Sequence, residues 1–213
     1  MRLFYFFLIA GICCFLFSFK QAEKLPPSPL AAYSAEWNQP KYLKCNTASR
    51  TKYMSATEKQ IIYILNMARM NPTLFANTVV KQYPDKGKHP YLKTNSYYIS
   101  LMDTLPKVKP LPLLMPDSLC YVSAQCHALY SGAEGYVGHE RTTDQCRKKE
   151  YFDGECCHYG YSEPLEIVLA LLIDEDVPSL GHRRILLGHY KKTGVSLQKH
   201  LSYNYNTVID VAY

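Results

Sequence analysis

The sequence predicts an α+β fold. Helical periodicity dominates from Ser55 to Ile173, strand patterns come only at the C-terminal end, and the two never alternate as βαβ units would. The 213 residues suffice for one medium domain, whereas two would each be short of core. A composition 47% apolar and 20% charged excludes wholesale disorder. The net charge of +6 is modest, and no basic run exceeds Arg147-Lys148-Lys149, which excludes a dedicated nucleic-acid-binding module.

The chain opens with Met1-Arg2 and an almost unbroken apolar run from Leu3 to Phe19, closed by Lys20. That order is the pattern of an export signal, with Ser18 and Ala22 as candidate cleavage ends. Residues 1–22 are therefore expected to act as a signal peptide, or as an N-terminal membrane anchor if retained. The run is at the short edge of what spans a bilayer. Cys13-Cys14 invites a lipoprotein reading, but Ile12 stands where a small residue is expected before a lipidated cysteine. The remainder is expected to be secreted or extracellular.

Residues 23–54 hold four prolines and little apolar periodicity, so they read as an extended lead-in, tied down at Cys45. The main domain, residues 55–213, opens with a capping box, Ser55-x-x-Glu58, followed by Ile61, Ile62, Leu65, Ala68 and Arg69 at helical spacing. Asn71-Pro72 interrupts, since the residue before proline avoids the α region and Asn can cap a second helix. Leu74, Phe75, Val79 and Tyr83 stripe that second helix, which Pro84 should close, with a loop over 85–94. Asn95 to Leu105 reads as a further helix ended by Pro106, and Lys107 to Pro116 as a connector. Asp117 caps a helix through about Leu129, with Leu119, Val122, Cys126 and Leu129 inward and Ser123 filling in beside Val122. Gly132, Gly135 and Gly138 then break regular structure before a polar loop from Glu140 to Gly154. Ser162-Glu163-Pro164 starts a helix through Ile173 whose Ile167–Ile173 run must be deeply packed. Two strands close the chain, Thr193 to Leu197 and Thr207 to Ala212.

Six cysteines come after the leader: Cys45, Cys120, Cys126, Cys146, Cys156 and Cys157. In an exported chain they suggest disulfides that staple the region around residues 140 to 160. Cys120 and Cys126 would stand about 9 Å apart along a helix, beyond disulfide reach. No CxxC or HxxxH spacing occurs, which argues against a structural zinc site of that kind.

Three segments place an ionisable residue after a glycine: Gly138-His139-Glu140, Gly154-Glu155-Cys156 and Gly181-His182-Arg183-Arg184. Glycine there lets the chain turn its neighbour into a cleft. Taken with Ile64-Leu65-Asn66-Met67-Ala68-Arg69-Met70-Asn71-Pro72, Tyr159-Gly160-Tyr161-Ser162, the stretch Leu172 to Arg184, Gly194-Val195 and Val208 to Ala212, the order resembles the CAP superfamily, also called SCP. The resemblance covers about residues 58 to 213. It implies a three-layer α-β-α sandwich with a central cleft holding two His and two acidic residues, which bind a divalent cation in some members. By position these are His139, Glu155, His182 and Asp174, with Glu175 or Glu163 as alternatives for the last. The family's Gly-Glu-Asn is here Gly154-Glu155-Cys156, losing an amide that would help hold the loop.

Two imidazoles and a carboxylate suit zinc or a similar cation, with His139 and His182 as its ligands and a position left for water. Three functions are open to such a chain. The first is a binding or effector module for a lipid, sterol, peptide or protein. The second is a metal-assisted peptide hydrolase. The third is a structural role in which His139, Glu155 and His182 only lock loops together. Cys156 and Cys157 stand where a nucleophile would, but a disulfide is the stronger expectation for an exported protein. His127 reads as a core-edge histidine and His158 as a supporting residue near the cleft. Tyr159 and Tyr161 either line that cleft or pack, and Arg183 and Arg184 read as a solvated helix start or partners of Asp174 or Asp176.

Overall fold

The computed structural model describes residues 27–87 and 89–213; the apolar leader and its cysteines lie outside them. No helix among the described residues is long and apolar enough to cross a membrane.

Residues 27–54 are not extended. Short 3-10 helices at Ala35–Asn38 and Pro40–Cys45 bury Leu30, Trp37, Tyr42, Cys45 and Ala48 completely. Trp37 packs on Tyr42 and Phe75 at ring-centroid distances of 4.7 and 6.3 Å, and its indole donates to Thr78 Oγ1 at 3.0 Å. Prolines deny this segment an α-helix, yet tight turns deliver its aromatics to the core without any periodicity.

Helix α1 (Ala56–Met70) begins at the expected capping box. It is buried on nearly every side from Ile61 to Arg69, so it runs through the core rather than along its surface. Asn66 donates to the Cys45 and Leu114 carbonyls, and the buried Arg69 guanidinium donates to Pro112, Gly188 and Tyr190 carbonyls. The motif that opens the family resemblance is thus a clamp on surrounding backbone.

Asn71 caps α2 (Pro72–Phe75), which passes through a π-helical turn at Ala76–Val80 into α3 (Lys81–Lys86). Pro84 does not close this helix. The Val80 carbonyl, which a residue at 84 would normally bond, instead accepts from the Tyr98 hydroxyl at 3.1 Å. Residues 90–94 form a 3-10 turn instead of an irregular loop, and α4 (Ser96–Thr104) begins after its Asn95 cap.

A two-residue strand, β1 (Met115–Pro116), precedes α5 (Ser118–Glu134), which Asp117 caps. The expected inward stripe of α5 holds at Ser123 and Cys126 and fails at its three large residues. Leu119, Val122 and Leu129 are 55%, 40% and 47% exposed, while Cys120, Ser123, Ala124, Cys126, His127, Ala128 and Ser131 are buried. The helix also runs five residues past Leu129, through Gly132, and ends on left-handed Gly135. Closeness to the sheet explains both differences: a Cβ on Gly194 would lie 2.0 Å from the Tyr121 nitrogen, and one on Gly132 2.1 Å from the Lys199 oxygen. At such a spacing small side chains fill the interface and large ones turn to solvent.

The polar loop contains one turn of helix, α6 (Asp144–Arg147), pinned by the Cys126–Cys146 disulfide. Its end is not loop but strand β2 (Gly154–Tyr159). Then come α7 (Pro164–Ile173), α8 (Gly181–Leu186), β3 (Lys192–His200) and β4 (Asn204–Ala212). The four strands pair in the order β1-β3-β4-β2, parallel only between β1 and β3. Alternation along β2 and β4 sends Cys157 and Val208 to Ala124 and Ala128 of α5, while Cys156 and Ile209 join the core of α1 and α7. The chain is therefore a mixed helix and sheet fold of α+β type, with β2 at the sheet edge.

Candidate functional site

The site forms around β2 because segments from both sides of that edge strand meet there. His139 arrives on the loop after α5 and His182 at the start of α8, whose backbone lies beside Cys156. Their ring centroids stand 6.3 Å apart with planes inclined at 38°.

Each imidazole is held by one carboxylate. His139 Nδ1 meets Glu155 Oε1 at 2.9 Å, and His182 Nδ1 meets Asp174 Oδ1 at 2.7 Å. An ionised carboxylate only accepts, so both Nδ1 atoms donate and the Nε2 lone pairs are left for a ligand. Asp174 caps α7 in the left-handed region (φ 61°), and its second oxygen accepts from the Arg183 amide at 3.2 Å. Asp tolerates that backbone; Leu180 (φ 50°), just before Gly181-His182, does not do so readily, and the strain sits beside the candidate residues. The four residues named from the sequence lie together, and of the three acidic candidates it is Asp174 that pairs with His182. Glu175 instead accepts from Tyr91 (3.1 Å) and Asn95 (2.6 Å) at the rim, and Glu163 caps α7 without a side-chain bond.

Beneath His139 lies an ionic group with no sequence signature. The buried Arg141 guanidinium sits 2.6 Å from Glu155 and 3.7 Å from Asp210, which faces Glu155 across the β2–β4 ladder. It also donates to the His139 carbonyl at 2.9 Å. Burial works against ionised Glu155, but hydrogen bonds from His139 and Arg141 outweigh it and hold the carboxyl down at about 2. The Glu155 bond in turn raises His139 against the opposing effect of burial. Asp210 is pushed well above the carboxylate range by burial and by Glu155, and neither of its oxygens has a hydrogen-bond partner. Asp210 was legible only as a charge inside the apolar strand Val208-Ile209-Asp210-Val211.

A groove of about 290 Å³ extends from His182 and Asp174. Tyr83, Tyr91, Tyr159, Tyr161, His89 and His158 supply polar tips, and Leu92, Leu171, Ile173 and Val177 the apolar floor. His158 stacks on Tyr161 at 5.2 Å, and burial, with His182 nearby, lowers its pKa to about 4. At the far end His89 and Tyr83 both bond Glu166, the first at 3.1 Å.

Other expectations change. Cys156 and Cys157 are free thiols, buried and pushed far above the usual range chiefly by desolvation, which removes them as nucleophiles. They lie side by side on β2 with side chains on opposite faces, so neither meets the other. The staple is Cys126–Cys146. Arg183 is not solvated: its guanidinium is buried and donates to the Leu172, Ile173 and Tyr97 carbonyls. His127 is fully inside, and its ligand atom, with those of Glu155 and Cys157, forms a group within 4.8 Å that could hold a metal ion. No family model, curated protein or solved structure matches this chain.

Proposed function

We propose that the chain is an exported CAP-type domain, an α-β-α sandwich whose cleft binds a peptide segment beside a divalent cation. One observation carries this reading: His139 and His182, from opposite sides of the sheet edge, converge with both Nδ1 atoms already committed to carboxylates. A carboxylate on the far nitrogen is the usual support of a metal-binding imidazole. Two imidazoles on one tetrahedral zinc place their centroids about 5 Å apart, roughly 1 Å closer than here, a change within reach of side-chain rotation. The donors therefore fit zinc, with His139 and His182 as its ligands and Glu155 and Asp174 behind them. Such an ion would polarise a ligand carbonyl or acidify a bound water.

A peptide suits the groove better than a sterol or lipid tail, because the lining mixes apolar side chains with tyrosine hydroxyls, imidazoles and the Asp174 and Glu175 carboxylates, which a peptide backbone can meet and an apolar ligand would only desolvate. The disulfide supports export. A metal-assisted peptide hydrolase is the second reading, favoured by His139, a raised-pKa base whose side chain is 57% exposed at the cleft. The same exposure speaks against a purely structural network, which would be dry.

Calorimetric titration with zinc tests the proposal. The His139→Ala/His182→Ala variant should take up one equivalent less than the wild-type chain, with its cooperative unfolding retained. Equal uptake by both proteins would reject the cleft cation.

A further inference from the structure

We infer that a second metal site, for zinc or another thiophilic divalent ion, lies beneath the cleft and is built by His127, Glu155 and Cys157. The three ligand atoms lie within 4.8 Å of one another, and the residues are 1%, 5% and 8% exposed. The independent sign of a ligand is the state of His127. Its Nε2 bonds the Gly138 carbonyl at 2.9 Å, so it must carry the proton, and Nδ1 is an unprotonated lone pair buried with no partner. A carbonyl bond on one ring nitrogen with the other left bare is how proteins prepare an imidazole to bind a metal. A buried polar atom without a partner otherwise only destabilises the fold.

The remaining donors suit the same kind of ion. A thiol, an imidazole and a carboxylate form the mixed soft and borderline set that zinc accepts, and that calcium or magnesium does not. Ligand atoms of a tetrahedral zinc stand about 3.5 Å apart, so closure needs shifts of about 1 Å. Glu155 offers about four lone-pair sites, enough to stay on Arg141 while ligating. Cys157 lines the groove, which gives the ion its way in.

This site is separable from the cleft cation because it uses a thiolate and neither His182 nor Asp174. Anaerobic titration with Co²⁺, free of reductant so that the Cys126–Cys146 bridge stays closed, reads the difference. The full chain should develop a near-ultraviolet thiolate-to-cobalt charge-transfer band whose plateau corresponds to one thiolate-bound Co²⁺ per chain. Cys157→Ser and His127→Gln should lose the band, Cys156→Ala should keep it, and His182→Ala should keep it while losing the cleft ion. Retention of the cleft ion by Cys157→Ser reports that the variant has folded. Absence of the band from the wild-type chain, or its persistence in Cys157→Ser, would overturn the second site. A missing cleft ion with the band intact would reject only the proposed function.

Discussion

Glu155 is the residue on which the site turns, since it meets His139 above and Arg141 below, facing Asp210 across the ladder. Truncating the cation leaves Asp210 buried with no positive neighbour and Glu155 with the His139 imidazole alone. Arg141→Met should therefore destabilise the fold by about 3–5 kcal/mol, measured by urea denaturation at pH 7. The pH dependence has a definite sign. Glu155 falls from 4.5 to about 2 on folding, so its contribution is complete above the unfolded value and is lost as pH falls through about 2. The contribution is on the order of 3 kcal/mol. Denaturation curves of the wild-type chain and Glu155→Gln should differ most above pH 4.5 and converge toward pH 2. A difference independent of pH would contradict the ionised, hydrogen-bonded carboxylate. His139, raised on folding, acts in the other direction: its stabilisation is present below 6.5 and is lost as pH rises through its folded value. His139, Glu155 and His182 were legible from the Gly-His and Gly-Glu steps, whereas Asp174 was reached only through the family resemblance. Arg141 was not, because an arginine two places after a loop histidine looks like any solvated charge until the fold buries it.

At the scale of elements, capping chemistry was readable and packing distance was not. Ser55, Asn71 and Asp117 all cap the helices expected of them, and Asn95, read as the first residue of a helix, caps it instead. The inward face of α5 was misread because hydrophobicity ranks Leu119, Val122 and Leu129 above Cys120, Ala124 and Ala128, whereas close approach to β3 and β4 selects for size. β2 was missed for a related reason. A strand covered on both faces shows no polar alternation, and Gly154-Glu155-Cys156-Cys157 reads as a turn. Gly194→Ala tests the spacing directly: its methyl group would strike the α5 backbone, and stability should fall by at least 2–3 kcal/mol, about the upper range for overpacking. A variant as stable as the parent would contradict the contact. The Cys126–Cys146 bridge spans 20 residues and encloses the loop that carries His139 and Arg141. Its replacement by Cys126→Ala/Cys146→Ala should cost about 3 kcal/mol and speed amide exchange across residues 138–147. Unchanged exchange there would show that Arg141 alone anchors the loop.

For the whole molecule, the segment before Ser55 matters more than its composition suggests. It carries the single tryptophan, and its Leu30, Trp37 and Tyr42 sit in the same core as α1 and α7. Fluorescence of Trp37 and far-ultraviolet circular dichroism should therefore report one coincident unfolding transition, and Trp37→Ala should cost about 3–5 kcal/mol. Two separate transitions would mean that residues 27–54 fold apart from the rest. The order of helices and strands announced an α+β fold, but not that the sheet would end in β2. That edge is what lets His139 and His182 reach each other from opposite sides. The convergence is the central claim, and anomalous diffraction at the zinc edge from crystals grown with zinc tests it most directly. The account predicts a peak bonded to Nε2 of both His139 and His182; a cleft without anomalous density, or an ion bound to only one of the two imidazoles, would contradict it.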